Sequence, residues 1–179
     1  MTIFDGILSS AKQLASTHFN QRPSGADISL LVIHNISLPP GQFGGKYVEK
    51  FFLGKLNIAD DESFRDIANL KVSAHLVIKR DGQVLQFVNF NDRAWHAGVS
   101  NFSGRENCND FSIGIELEGT DDIDYTDHQY RQLSLITKLL MIAYPKIARD
   151  RICGHCDIAP TRKTDPGASF DWKRYKQSL

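Results

Sequence analysis

Apolar positions along this chain recur with two different periods. SLLVIHNIS, at Ser29–Ser37, is a short apolar run with Val and Ile that closes on polar residues, which predicts a buried strand. PPGQFGG, at Pro39–Gly45, then breaks regular structure. KYVEKFFLGKL and DESFRDIANL have helical spacing, the second with Asp60–Ser63 as caps. In SAHLVIKRDGQVLQFV two β-rich runs flank Asp81-Gly82, a dipeptide favoured in type I′ turns, and a hairpin is expected there. FSIGIELEG, at Phe111–Gly119, alternates apolar and polar residues after Ile113 and predicts another strand. The main helix is expected in TDHQYRQLSLITKLLMIAYP. It opens on a Thr/Asp cap, carries Leu133, Ile136, Leu139 and Leu140 at helical spacing, and runs up to Pro145. FDWKRYKQSL predicts a short C-terminal helix. Strands followed by helices, with at least one hairpin, imply an α/β fold with a mixed central sheet and helices packed on it.

Composition narrows the class. A chain of 179 residues with no repeat, low-complexity tract or long linker suits one domain with a sizeable core. Lys+Arg and Asp+Glu both number 21, so no bulk charge recruits nucleic acid or a membrane surface. No apolar run approaches the roughly 18 residues of a membrane span, and the first residues lack a secretory pattern, so a cytoplasmic protein is expected. The three cysteines, Cys108, Cys153 and Cys156, are expected as free thiols in a reducing compartment.

Two of those cysteines form CGHC at Cys153–Cys156, the motif of a disulfide oxidant. Such a motif needs its first Cys at the N-terminus of a helix that lowers the thiolate pKa. The following DIAPTRKTDPGASF has two prolines and a glycine, which no long helix can cross, and too little chain remains for a thioredoxin sheet. A zinc site made from Cys153, His155 and Cys156 is also poor, because His155 and Cys156 are adjacent and no second ligand pair exists. His155 gains meaning beside His34, at the end of a strand, and Asp165, ten residues beyond it in a Pro/Gly loop. Catalytic zinc commonly takes three His or carboxylate ligands and leaves one position open. Lys163 sits close enough in sequence to share that pocket.

LLVIHNISLPPG, SAHLVIKRDGQVLQFV, RAWHAGVS, CNDFSIGIELEGT and GHCDIAPTRKTDPG, in this order, resemble the AmpD-type 1,6-anhydro-N-acetylmuramyl-L-alanine amidases. These belong to the zinc amidases related to peptidoglycan recognition proteins and phage T7-type lysozyme. The resemblance implies a single amidase domain over residues 1–179, with a zinc groove at one edge of the sheet. It implies Zn²⁺ as the only cofactor and cleavage of the amide joining the lactyl group of anhydro-muramic acid to L-alanine. The implied setting is cytosolic recycling of cell-wall fragments, by a monomer whose partner is a small muropeptide rather than nucleic acid or membrane.

Matched residue by residue, the resemblance assigns His34, His155 and Asp165 to zinc, Glu116 to the catalytic carboxylate and Lys163 to a positive group beside the metal. The intact set argues against a muropeptide-binding module without catalysis. Candidate substrate contacts are Asn35, Lys71, Trp95, His96 and Arg105. Trp95 and His96 suit a sugar face with a polar tip, and Arg105 suits a stem-peptide carboxylate. Related sequences have Arg where Lys71 and Asn107 stand, departures that bear on carboxylate recognition and not on amide chemistry. His75, inside a strand, is expected to be structural, and His18 and His128 to lie on the surface.

Overall fold

The computed structural model describes residues 1–179. Its strands are β1 (Ile3–Phe4), β2 (Ile7–Leu8), β3 (Lys12–Gln13), β4 (Phe19–Asn20), β5 (Leu30–Ile36), β6 (Leu76–Ile78), β7 (Val84–Gln86), β8 (Arg93–Ala94), β9 (Asn101–Phe102), β10 (Arg105–Glu106), β11 (Ser112–Glu118) and β12 (Ile152–Gly154). The α-helices are α1 (Tyr47–Phe52), α2 (Asp127–Ala143), α3 (His155–Ile158) and α4 (Trp172–Gln177). None is long and apolar enough to cross a membrane.

Six strands form the central mixed sheet in the order β12-β5-β11-β6-β7-β3. The run β12, β5, β11 and β6 is parallel, and β7 pairs antiparallel with β6. The predicted α/β architecture is therefore present. The two seven-residue strands lie in register beside each other, with Glu116 opposite His34. Alternation along them divides the molecule. Leu31 and Ile33 of β5, with Ile113, Ile115 and Leu117 of β11, pack against Leu133, Ile136 and Leu140 of α2. The alternate residues Val32, His34, Ser112, Gly114 and Glu116 fall on the other face by the two-residue period of a strand. Strand β11 is buried along its whole length, so its polar residues mark a functional face and not a solvated one.

Helix α2 begins where the sequence signals it. Thr126 Oγ1 accepts the Gln129 N–H at 3.2 Å, and Gln129 Oε1 accepts the Thr126 N–H at 3.1 Å, a complete capping box. DESFRDIANL does not become a helix. It makes a single 3₁₀ turn at Glu62–Phe64, capped by Asp61, because Phe64 is the only residue of this turn that the core engages. The hairpin at Asp81-Gly82 also differs from expectation. Lys79 pairs with Gln83, so the loop has three residues, and only Gly82 has positive φ, at +86°. Two-residue turns with both φ values positive occur instead at Asp5-Gly6, joining β1 to β2, and at Ser103-Gly104, joining β9 to β10.

Candidate active site

Three adjacent parallel strands deliver the site at their C-terminal ends, the usual position for a ligand in an open α/β sheet. His34 lies near the end of β5, Glu116 near the end of β11, and His155 directly after β12. Asp165 comes from the loop beyond α3. That loop is pinned twice: Cys156 N–H donates to Asp165 O at 3.0 Å, and Tyr125 Oη donates to Pro166 O at 2.7 Å. Gly154 makes the approach possible, since a Cβ there would meet Pro166 Cδ at 2.8 Å.

His34 Nδ1, His155 Nδ1 and Asp165 Oδ2 form a triangle with sides of 3.0, 3.0 and 3.1 Å. Both histidines are buried, and Asp165 is 14% exposed. His155 Nε2 lies 3.0 Å from Ala97 O, which can only accept, so Nε2 donates there and Nδ1 is the nitrogen turned to the triangle. Burial pulls the His34 pKa down to about 4, against the opposing pull of Asp165, so this ring is neutral at pH 7. Burial works to raise the Asp165 carboxyl, but its contacts with His155 and His34 outweigh that and keep it ionised. Donors around a tetrahedral zinc stand about 3.3–3.6 Å apart, given metal–donor distances near 2.0–2.2 Å. Two imidazoles and a carboxylate at this spacing can bind a metal, and they fit a divalent cation held by three protein ligands.

The triangle opens into a cavity of about 270 Å³. Its apolar wall includes Ile36, Phe51, Phe52 and Trp95, and its polar side carries Asn35, Glu116 and Lys163. Glu116 is buried, and its Oε2 has no hydrogen-bond partner. Burial and then the Asp165 charge raise the Glu116 pKa well above the usual carboxylate range, while Lys163 acts in the opposite direction. A polar arm continues from the cavity along Asn35, Asp121, Arg162 and Lys163.

The other expected residues divide. Asn35 lines both spaces, with Nδ2 donating to Asp121 Oδ1 at 2.8 Å. Trp95 lines the cavity, stacks on His18 at 6.3 Å, and donates Nε1–H to Asn20 at 2.6 Å. His18 is thus half-buried and not a free surface residue, whereas His128 is exposed as expected. His96 borders the cavity, but both ring nitrogens are engaged, by His34 at 2.9 Å and Ser112 at 3.1 Å. Lys71 and Arg105 lie outside both spaces, since neither lines the cavity or its polar arm. Lys71 is exposed, and Arg105 pairs with Asp27 at 3.0 Å and covers the Phe111 ring. His75 is structural: its Nδ1 accepts Gly114 N–H at 3.0 Å, and burial takes its pKa down to about 3. CGHC spans the end of β12 and the first turn of α3, so a short helix does begin there. Cys153 nevertheless sits in the strand, and burial raises both its thiol and that of Cys156, opposite to an activated thiolate.

Apolar α1 and the loop around Leu70 and Val72 build much of the wall, and sequence reading missed them as site elements. Their signal, paired Phe51-Phe52 in a short helix, looks like ordinary core.

Residues 24–168 match the N-acetylmuramoyl-L-alanine amidase family. The chain belongs to this family. The amidase is 59% identical over 174 residues to the 1,6-anhydro-N-acetylmuramyl-L-alanine amidase AmpD of Haemophilus influenzae, covering 97% of this chain and 95% of that one. It is 53% identical to the Escherichia coli K12 AmpD, with 98% and 96% covered. A crystal structure of a selenomethionine AmpD derivative superposes with a TM-score of 0.98 at 53% identity, over 100% of this chain and 99% of that one. Escherichia coli AmiD, bound to anhydro-N-acetylmuramic acid-L-Ala-D-γ-Glu-L-Lys, superposes with a TM-score of 0.62 at 27% identity, over 88% and 60% of the two chains. These likenesses identify the chain as an amidase of the AmpD type.

Proposed function

We propose that this amidase is zinc-dependent and cleaves the amide between the lactyl group of 1,6-anhydro-N-acetylmuramic acid and L-alanine, acting as a cytoplasmic monomer in the recycling of cell-wall muropeptides. The observation that carries the reading is the triangle of His34, His155 and Asp165 donors beside the unpartnered Glu116 Oε2. The identity to AmpD enzymes supports the bond and the substrate class.

Zinc held by His34 Nδ1, His155 Nδ1 and Asp165 Oδ2 would polarise the amide carbonyl and lower the pKa of water toward about 7. Glu116 accepts a proton from the attacking water at Oε2. As the water oxygen bonds to the carbonyl carbon and the C–N bond breaks, Glu116 passes that proton to the departing alanine nitrogen. Lys163 offers its ammonium to the oxyanion that develops on the carbonyl oxygen. Trp95 presents a flat apolar face to a sugar ring, and Asn35 a side-chain carbonyl to a peptide N–H. The raised Glu116 pKa suits both proton transfers, because a base poised nearer neutrality also serves as an acid.

Glu116→Gln tests this assignment. It is expected to lower kcat about 10²–10⁴-fold on an anhydro-muropeptide, with stoichiometric zinc retained by metal analysis. Loss of zinc from the variant, or unchanged kcat, would remove Glu116 from the proton-transfer role.

A further inference from the structure

Both histidines of the triangle lean on one short segment, His96-Ala97. The His96 Nδ1 lies 2.9 Å from His34 Nε2, and His96 Nε2 lies 3.1 Å from Ser112 Oγ. The next residue offers Ala97 O to His155 Nε2 at 3.0 Å. Buried Asn109 fixes the segment from behind: its Oδ1 accepts the N–H of His96 at 3.1 Å and that of Ala97 at 2.8 Å. Arg162 Nη2 donates to the same Ala97 O at 2.7 Å.

The sheet makes room for this arrangement. Gly114 lies in the middle of β11, where glycine weakens a strand by entropy and lack of packing. A Cβ at Gly114 would meet His96 Cγ and Nδ1 at 2.5 Å. The glycine is the seat of the imidazole, which stands edge-on to His34 with ring centroids 5.0 Å apart.

Resting on the metal reading above, we propose that His96 is a positioning residue for the ligand His34. It accepts the His34 Nε2 proton and passes a second hydrogen bond to Ser112, which leaves His34 Nδ1 bare toward the metal. An imidazole has one proton when neutral, so the identity of the partner at Nε2 decides whether Nδ1 can ligate. The chain His34–His96–Ser112 is consistent in this sense: His34 Nε2–H to His96 Nδ1, then His96 Nε2–H to Ser112 Oγ. His96 therefore serves the ligand and has no free ring nitrogen for substrate.

The test uses wild type, His96→Phe and His96→Asn, with zinc affinity measured by competition against a chromophoric chelator. Phe keeps a ring on the Gly114 seat but cannot accept a proton, whereas Asn places Oδ1 where Nδ1 was. His96→Phe is expected to bind zinc about 10–100-fold more weakly, and His96→Asn to recover most of that loss. Long-range ¹⁵N–¹H NMR of zinc-loaded wild type is expected to show the His34 proton on Nε2. Equal affinity of wild type and His96→Phe, or an Asn variant as weak as Phe, would overturn the role while leaving the metal site intact. Failure of the wild type itself to bind zinc would instead overturn the metal reading on which the role rests.

Discussion

A carboxylate that is buried and unpartnered, as Glu116 is, costs stability in return for reactivity. Its folded-state pKa lies above the value near 4.3 of an unfolded chain. Below about pH 4 both states hold the proton, and the group has no effect. As pH rises past that point the unfolded chain ionises first, and the folded state loses stability relative to it. Chelator-treated Glu116→Gln is therefore expected to melt above chelator-treated wild type at pH 7, with the gap closing as pH falls below about 4. Thermal unfolding at several pH values reads this, and a gap that is independent of pH, or reversed at pH 7, would contradict it. At this scale the sequence motifs name the three donors that meet in the triangle and the buried Glu116 beside it, while Lys71 and Arg105 lie outside the cavity and its polar arm. Lys71 and Arg105 were selected by charge type and motif, and charge type does not reveal that Arg105 is occupied by Asp27. The role of His96 was hidden for a related reason: its partners His34 and Ser112 are 62 and 16 positions away.

Helix α2 supplies the opposite support for the sheet, and its start was legible in the sequence. Thr126 caps the helix and also donates from Oγ1 to Arg80 O at 2.7 Å, which ties the helix to the β6–β7 hairpin. Thr126→Ala is expected to destabilise the protein by about 0.5–2 kcal/mol, seen as a lower urea midpoint with an unchanged m-value. No change in midpoint would show that water replaces the cap at no cost. The long elements were readable because β5, β11 and α2 are long enough for their periods to register. Strands β1 to β4 have two residues each, too few for any alternation. Longer β-rich runs flank Asp81-Gly82 and draw the I′ expectation there, while the two-residue turns with both φ values positive, Asp5-Gly6 and Ser103-Gly104, join strands of only two residues. DESFRDIANL had helical spacing but too little apolar surface to repay the ordering of a helix.

Across the whole molecule, one parallel arrangement explains the site. Strands β12, β5 and β11 run side by side and end together, so residues 34, 116 and 155 converge although the chain between them is long. Leu31 and Ile33 of β5 with Ile113, Ile115 and Leu117 of β11 pack in one core cluster with α2, while His34 and Glu116 on the opposite face line the cavity. The convergence was not derivable from periodicity alone, which gives strands but not their order. It became legible through the combined motifs around His34, Glu116 and Asp165, which the family match over residues 24–168 bears out at the level of the family. The central claim is that these residues form a zinc amidase centre, and mass spectrometry of anhydro-N-acetylmuramyl-tripeptide incubated with the protein tests it most directly. Three conditions are needed: protein alone, protein with chelator, and chelated protein resupplied with zinc. The account predicts release of free tripeptide, its loss with chelator and its return with zinc. Tripeptide release that persists undiminished in chelated, metal-free protein, or intact substrate in all three conditions, would contradict it.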